Sequence, residues 1–377
     1  MKRIKPIIPS SLDQWSQEEM LQKDGFFVDS YEKLTRGIAE LACANPYLVL
    51  FYRGQKTDYK RGLDNKSTLL PTIYRNDTST KEMDYRWKKL NKASELLAEK
   101  LKGKKGLNYD LARRKKLIQW SILQHYEVVD TPLIDVTQSI RVACSFAVLN
   151  NNNDYAYIYV IGLPYYTNRI SVNSEEYLTN IRLISIAPPI ALRPYHQEGF
   201  LVGEDDIIET NDISHLKNEL DLRNRLVYKF KIEKNELVRN DFGLPLPEKI
   251  LMPEIDDMKK ICDEIKEMVS QYSSFDLDNA KTSISNEELM LFLSEWNEIE
   301  GLLREFFGTI DKTGRYNLLP AIRVIDDRNL RNKINSLRIQ RNRFVHSGES
   351  PAHSDTEICK RTKEELREYI HKYILNN

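Results

Sequence analysis

The 377-residue chain is 41% hydrophobic and balances 56 basic against 56 acidic side chains, which gives enough apolar material for two domains with their own cores and no net charge to draw a nucleic acid or an acidic surface. No stretch approaches the roughly 20 apolar residues of a membrane span, and the basic start MKRIKPIIPSSLDQW lacks an apolar leader segment, so a cytoplasmic protein with no membrane partner is expected. Four single cysteines (Cys43, Cys144, Cys262, Cys359) offer neither a disulfide framework nor a C-x-x-C zinc knuckle, and six histidines without H-x-x-x-H spacing give no metal site to expect.

Tyr31, Leu34, Ile38 and Leu41 recur at helical spacing and predict a helix over 29–45, with Asp29 and Glu32 as its capping box and Pro46 as its stop. Strand-like runs follow in YLVLFY (47–52), PLIDV (132–136), AYIYVIGL (156–163), RLISIA (182–187) and LVYKFKI (226–232), interleaved with helical patterns around 110–125 and 139–149. The proline-rich GLPLPEKILMPE (243–254) reads as a boundary, beyond which strand signals vanish. Helical patterns then occupy 255–272, 286–307, 317–325, 327–346 and 355–375, with the polar SSFDLDNAKTSISN (273–286) as a loop. The expected architecture is an α+β domain over 1–250, a mixed sheet with helices, followed by an all-α helical bundle over 251–377.

Local charge is uneven although the total is zero. KLKGKKGLNYDLARRKK (100–116) and RNLRNKINSLRIQRNRF (328–344) are basic; each is either a solvated helix face or a surface for phosphates. Acidic counterparts stand at 203–212 and 253–267. The apolar run LVLFYRGQK ends on Arg53, a charge leaving a desolvated strand, so it needs either a carboxylate within the protein or an anion brought by a ligand. Gly54 beside it leaves room for a close backbone approach to that ligand. Asp135, in an apolar strand, likewise needs a partner.

FYRGQ, taken with LLPTIYR (69–75), ILQHYEVVDTPLIDVTQSIRVACSFAV (122–148) and ALRPYHQEGFLVG (191–203), resembles the FRG domain, whose Phe-Arg-Gly motif is Tyr52-Arg53-Gly54 here. Three positions differ: the family's glycine after Gln-His-Tyr is Glu127, its Pro-Thr-Arg stretch is rearranged in VVDTP, and its tryptophan after Asp is Val136. The pattern is in turn similar to the ADP-ribosyltransferase layout. That resemblance implies an arginine on the phosphates or ribose of NAD (Arg53), a Ser/Thr strand (Thr137, Ser139) with an A-x-x-F-A-like helix (ACSFA), and a later Gln or Glu beside the ribose, Gln197 or Glu198. Gly54, Gln55, His125 and Tyr126 complete the implied binding set for NAD, which would be a substrate. Such chemistry suits those residue types, since a guanidinium fork holds a diphosphate and a carboxylate or amide stabilises an oxocarbenium-like state.

In the helical part, LRIQRNRFVHSGE resembles the HEPN ribonuclease motif through Arg341, Asn342 and His346, and NEELMLFLSEWNEIEGLLREFFG is similar to the first long helix of that fold. An imidazole to move protons and a cation on the scissile phosphate suit metal-independent RNA cleavage. Residues five apart on a helix point about 140° away from each other, so one Arg–His pair converges only at a helix end or across a homodimer. Three readings stay open: an NAD-dependent ADP-ribosyltransferase whose helical domain dimerises or engages RNA, a HEPN-type endoribonuclease with the FRG domain as ligand sensor, and a non-catalytic binding module. The pairing of the two resemblances implies a bacterial toxin or antiviral-defence effector, with nucleic acid (RNA favoured) and a cognate antitoxin as partners.

Overall fold

The computed structural model describes residues 1–62, 65–75, 79–205, 217–238, 245–272, 286–307, 318–346 and 353–376, without the side chains of 286–288, 319, 343, 345–346, 353–354 and 375–376. The chain divides after Tyr272 into two compact units. The first opens with α1 (Gln17–Gln22), β1 (Phe26–Val28) and α2 (Tyr31–Ala44). Ser30, in extended conformation, caps α2 by accepting from the Lys33 amide, while Asp29 pairs with the Lys33 ammonium at 2.6 Å. The expected Asp29–Glu32 capping box does not form: the N-cap is Ser30, the third helical residue is Lys33, and Glu32 lies in the first turn.

Next come β2 (Val49–Gln55), the two-residue strands β3 (Lys60–Arg61) and β4 (Lys66–Ser67), α3 (Thr80–Lys100), α4 (Tyr109–Arg114), α5 (Lys116–His125), β5 (Ile134–Thr137) and α6 (Ile140–Val148). They are followed by β6 (Tyr155–Leu163), β7 (Ile170–Asn173), β8 (Leu178–Arg182), α7 (Leu183–Ile186), α8 (Arg193–His196), β9 (Gly199–Gly203), β10 (Leu226–Glu233), α9 (Lys234–Val238), α10 (Glu248–Leu251) and α11 (Asp257–Ser270). RLISIA, expected as a strand, is instead the end of β8 and the single helical turn α7. Leu183 and Ile186, three residues apart, are both buried there, a spacing that a helix satisfies and a strand does not.

Eight strands form one mixed sheet in the order β1-β10-β6-β2-β5-β9-β8-β7, antiparallel throughout except for β1 beside β10. Central strands β2 and β6 contribute Phe51, Ile158, Tyr159, Val160 and Ile161, all fully buried. A second core gathers α3, α5 and α11 around Met83, Trp87, Ile118, Ile122, Met258, Cys262 and Ile265. The boundary expected at 250 is corrected by that core: α11 buries Met258, Cys262, Ile265 and Val269, a helical stripe in which each aliphatic side chain stabilises by roughly 1.5–3 kcal/mol. It belongs to the first unit.

The described residues of the second unit form four helices, α12 (Asn286–Phe307), α13 (Leu318–Val324), α14 (Arg328–His346) and α15 (His353–Asn376), with 325–327 as a short link between α13 and α14. Phe292, Trp296, Ile299 and Leu303 on α12 meet Ile334 and Leu337 on α14 and Leu366 and Ile370 on α15 in its core. The loop expected over 273–286 lies outside the described residues up to 285. No helix among the described residues is long and apolar enough to cross a membrane.

Candidate functional site

Arg53 emerges near the end of β2, where the apolar run stops. Across β6 it faces Tyr159, which in turn faces Lys229 on β10. Two of that row are already occupied: Asp58 accepts from the Tyr159 hydroxyl at 2.6 Å and from the Lys229 ammonium at 2.8 Å, and Ser67 takes a third contact with Lys229 at 2.9 Å. Arg53 differs. Among the described residues its guanidinium makes one hydrogen bond, from Nη1 to the Asp135 carbonyl oxygen at 2.6 Å, and no ion pair. Burial pulls its pKa below the ordinary guanidinium value; Asp135 opposes that fall and Arg75 adds to it. Arg75, whose Nε donates to the Leu70 carbonyl at 2.9 Å, is shifted downward as well, first by burial. Two guanidinium groups thus sit within electrostatic reach of each other, and several of their N–H groups are unengaged by the described residues.

Asp135 does not neutralise Arg53 through its carboxylate. That carboxylate accepts from Gln124 Nε2 at 2.9 Å and lies 2.8 Å from His125 Nδ1. Burial by itself would raise the Asp135 pKa, but the His125 hydrogen bond and charge, Gln124 and Arg53 outweigh it, and the net shift is downward. With Nδ1 donating to Asp135, the imidazole turns Nε2 inward, buried and without a partner among the described residues. The His125 carbonyl accepts from Arg193 Nη1 at 3.2 Å, and the Arg193 guanidinium lies 5.0 Å above the Tyr126 ring. Tyr126 is occupied in turn: its hydroxyl donates to Asp256 at 2.7 Å, and Asp256 also accepts the amides of Leu192, Arg193 and Lys259, all at 3.1 Å. Tyr126 therefore fastens α5 to α8 and α11 rather than presenting its ring to a ligand.

The remaining residues are set by strand register. Tyr52 stands opposite Thr137, and Thr137 opposite Gly199, so Arg53, Thr137 and the Gln197–Glu198 pair lie along three neighbouring strands, with Arg53 one residue past that row and Glu198 one residue before it on the other side. Thr137 Oγ1 accepts from the Ser139 amide at 3.1 Å, and Ser139 caps α6. Gln197 is buried and donates to the Leu251 carbonyl at 2.8 Å, whereas Glu198 is exposed and takes a left-handed backbone with φ +46°. Gly199 cannot carry a side chain, because a Cβ there would approach His125 Cε1 to 2.8 Å. Gln55 Oε1 is buried without a partner among the described residues. Gly54 corrects an expectation. Its missing Cβ makes room not for a ligand but for helix α6: a Cβ would lie 2.7 Å from the Ala143 carbonyl carbon and 3.0 Å from the Ala147 amide, inside contact with the Ala143 oxygen.

Arg53, His125, Asp135, Thr137 and Ser139 all fall in one segment. Residues 49–156 match the FRG domain family. No curated protein and no solved structure matches the chain. The FRG segment covers β2 to the start of β6, so Gln197, Glu198 and the strands β7 to β10 lie beyond it. Within it, Glu127 has φ +55°, the conformation that glycine adopts without penalty. The Glu127 amide donates to the Gln124 carbonyl at 3.0 Å and the Val128 amide to the Leu123 carbonyl at 2.9 Å, which is a Schellman ending for α5. Beside it a groove of about 310 Å³ is lined by Thr72, Arg86, Lys89, Gln124 and Asp130. Gln124 is shared: its amide nitrogen reaches Asp135 while its oxygen lies 3.5 Å from the Thr72 hydroxyl.

Reasoning from residue types missed Arg75, Gln124 and Arg193. Gln124 stood inside the quoted Gln-His-Tyr stretch, but its partners are distant in sequence. In the second unit Arg341 and Asn342 lie on α14, with Arg341 Nη1 donating to Asn342 Oδ1 at 3.2 Å and Arg341 Nε buried without a partner among the described residues. The α14 backbone continues to His346, whose side chain lies outside the described residues, as does Gly348.

Proposed function

We propose that the first unit binds NAD and transfers its ADP-ribose to a macromolecule, as an ADP-ribosyltransferase. The observation that carries this reading is the register of three adjacent strands, Tyr52 opposite Thr137 and Thr137 opposite Gly199. Strands lie roughly 4.8 Å apart and rise roughly 3.4 Å per residue, so the backbones of Arg53 and Glu198, two strands and two residues apart, are separated by about 12 Å, the scale of a ribose and its diphosphate. Arg53, half-buried, and Arg75, exposed, fit an anionic diphosphate, because a guanidinium with unengaged N–H groups is stabilised by a ligand that supplies charge and acceptors together. Glu198 is the better candidate for the ribose side. Gln197 spends its amide on Leu251, while Glu198 is exposed and held in a left-handed conformation that costs roughly 1–2 kcal/mol, the kind of strain that surrounding structure tolerates at working positions.

In this mechanism the bond between C1′ of the ribose and the nicotinamide nitrogen breaks, the electron pair leaves with nicotinamide, and a nucleophile on the acceptor takes C1′ and gives up its proton. The Glu198 carboxylate stabilises the positive charge that develops on the ribose, a contribution felt in rate more than in ground-state affinity. His125, held by Asp135 and pressed against Gly199, sets where the start of β9, and hence Glu198, lies. The wider role, a toxin or antiviral-defence effector with a cognate antitoxin and a dimerising second unit, rests on the paired family resemblances.

A second reading is a ribonuclease in the second unit. It is favoured by the orphan Nε of Arg341, but a continuous α14 carries Arg341 and His346 about 140° apart, so a site would need a second copy of the chain. Calorimetric titration of NAD into the wild type, Arg53→Ala and Arg75→Ala separates the readings. The proposal expects binding by the wild type and at least tenfold weaker binding by folded Arg53→Ala. No binding by the wild type, or unchanged binding by Arg53→Ala, overturns it.

A further inference from the structure

From Leu101 to Lys116 the chain carries seven basic side chains against one acid, Asp110, although the whole chain is balanced at 56 to 56. Leu101, Asn108 and Tyr109 are buried and anchor the loop that precedes α4. Asn108 Nδ2 donates to the carbonyls of Ser185 at 3.3 Å and Ala187 at 3.1 Å. Between the anchors Gly103 and Gly106 take positive φ, +81° and +118°, and a Cβ on Gly103 would meet nothing within 4 Å. The loop therefore projects from a fixed base into open space, and Lys102, Lys104, Lys105, Arg114 and Lys115 are all exposed. Three acids near it are engaged, although Asp257 also lies within electrostatic reach of Lys104. Asp110 pairs with Arg113, Asp257 with Lys260 at 2.8 Å, and Glu264 with Lys100 at 2.5 Å. None of Lys102, Lys104, Lys105 and Lys115 has an ion-pair partner among the described residues.

We infer that this loop and the junction of α4 with α5 form a docking surface for the phosphate backbone of a nucleic acid. Like charges packed within a Debye length of about 8–10 Å repel each other, and a polyanion that bridges them removes that repulsion while releasing its own counterions. A lipid surface fits less well: Leu107, 70% exposed, is the one large apolar side chain the segment presents, whereas interfacial anchors bury a whole apolar face. The inference stands apart from the NAD reading, because docking is measured without NAD.

The test is fluorescence anisotropy of a labelled single-stranded RNA, the same sequence as single-stranded DNA, and a duplex, each titrated with full-length protein over a series of salt concentrations. Vesicles with and without anionic lipid form a parallel arm. At about 0.7 in log–log slope per neutralised phosphate on a single strand, replacing four contacting lysines should remove most of a slope of about 2–3. Lys102→Gln/Lys104→Gln/Lys105→Gln/Lys115→Gln should weaken binding at least tenfold at moderate salt with an unchanged melting temperature. If that protein misfolds, the loop-only variant at 102, 104 and 105 should still weaken binding several-fold. The RNA and DNA arms identify which backbone is preferred. Affinity within twofold of wild type in the variant, no nucleic-acid binding by wild type, or binding to anionic vesicles alone would overturn the inference.

Discussion

Gly54→Ala should destabilise the first unit whether or not a ligand is present. The added methyl would sit 2.7 Å from the Ala143 carbonyl carbon and 3.0 Å from the Ala147 amide, while uncrowded carbon contacts begin near 3.5 Å, so α6 must retreat from β2 by about 1 Å or more. Both obstacles are backbone atoms and cannot be relieved by a rotamer change. The helix that would have to move buries Val142, Ala143, Cys144 and Ala147 against the sheet, and overpacking of this kind costs about 1–3 kcal/mol, with the upper end expected where backbone meets backbone. For a unit of this size that is a fall of roughly 6–12 °C in Tm. Thermal and urea unfolding followed by circular dichroism measure it directly. A variant that melts within a degree of wild type yet loses ligand binding would refute the packing argument and restore a ligand-facing role for Gly54.

Gly199→Ala should cost about 1–3 kcal/mol through its contact with the His125 ring, and His125→Ala in the same chain should recover part of that loss; additive losses in urea unfolding would contradict the contact. Asp135→Asn should lower stability at neutral pH by about 2–3 kcal/mol, the scale of charge-assisted hydrogen bonds. Because the folded Asp135 pKa is depressed, its contribution is fully present above the ordinary carboxylate value of about 4 and is lost as the pH falls through the lower folded value. The gap between wild type and Asp135→Asn should therefore narrow below about pH 4, and a gap that widens there would reverse the sign of the argument. Glu127→Gly should leave stability unchanged or raise it by up to about 1 kcal/mol, since φ +55° penalises Glu and not Gly; a clear loss in urea unfolding would mean the Glu127 side chain contributes more than its backbone costs.

Much of the fold was legible because its signals are local. Apolar runs marked β2, β5, β6 and β10, and the heptad-like stripe of Phe292, Trp296, Ile299 and Leu303 marked α12 over the span later observed. Other elements hide for physical reasons. The longest helix of the first unit, α3, is nearly half charged and buries a stripe through Met83, Trp87, Leu90 and Leu97. Strands β7 and β8 are short, and β7, at the sheet edge, buries none of its four residues fully, so neither stands out as an apolar run. Arg53 was recognisable as a charge at the end of a buried strand. Its surroundings were not, since Arg75, Asp135 and Tyr159 reach it only through the folded sheet. Gly54 shows the same limit. A glycine announces that something approaches closely, and only tertiary structure identifies the occupant as the α6 backbone. The reverse held at Glu127, where the substituted residue concealed a left-handed turn.

The account turns on whether Glu198 acts on the ribose of NAD while Arg53 holds its phosphates. Purified wild type, Glu198→Gln, Gln197→Ala and Arg53→Ala should be incubated with NAD labelled in the adenylate portion and a mixture of RNA and protein, with transferred label and NAD affinity measured side by side. Wild type should transfer label. Glu198→Gln should lose transfer by about 10²–10³, the range for removing one group that stabilises a developing charge, with NAD affinity within about threefold because the effect lies in the transition state. Gln197→Ala should keep most of the transfer, and Arg53→Ala should lose affinity and transfer together. Transfer at the wild-type rate by Glu198→Gln, or no label transferred by any form of the protein, would contradict the account.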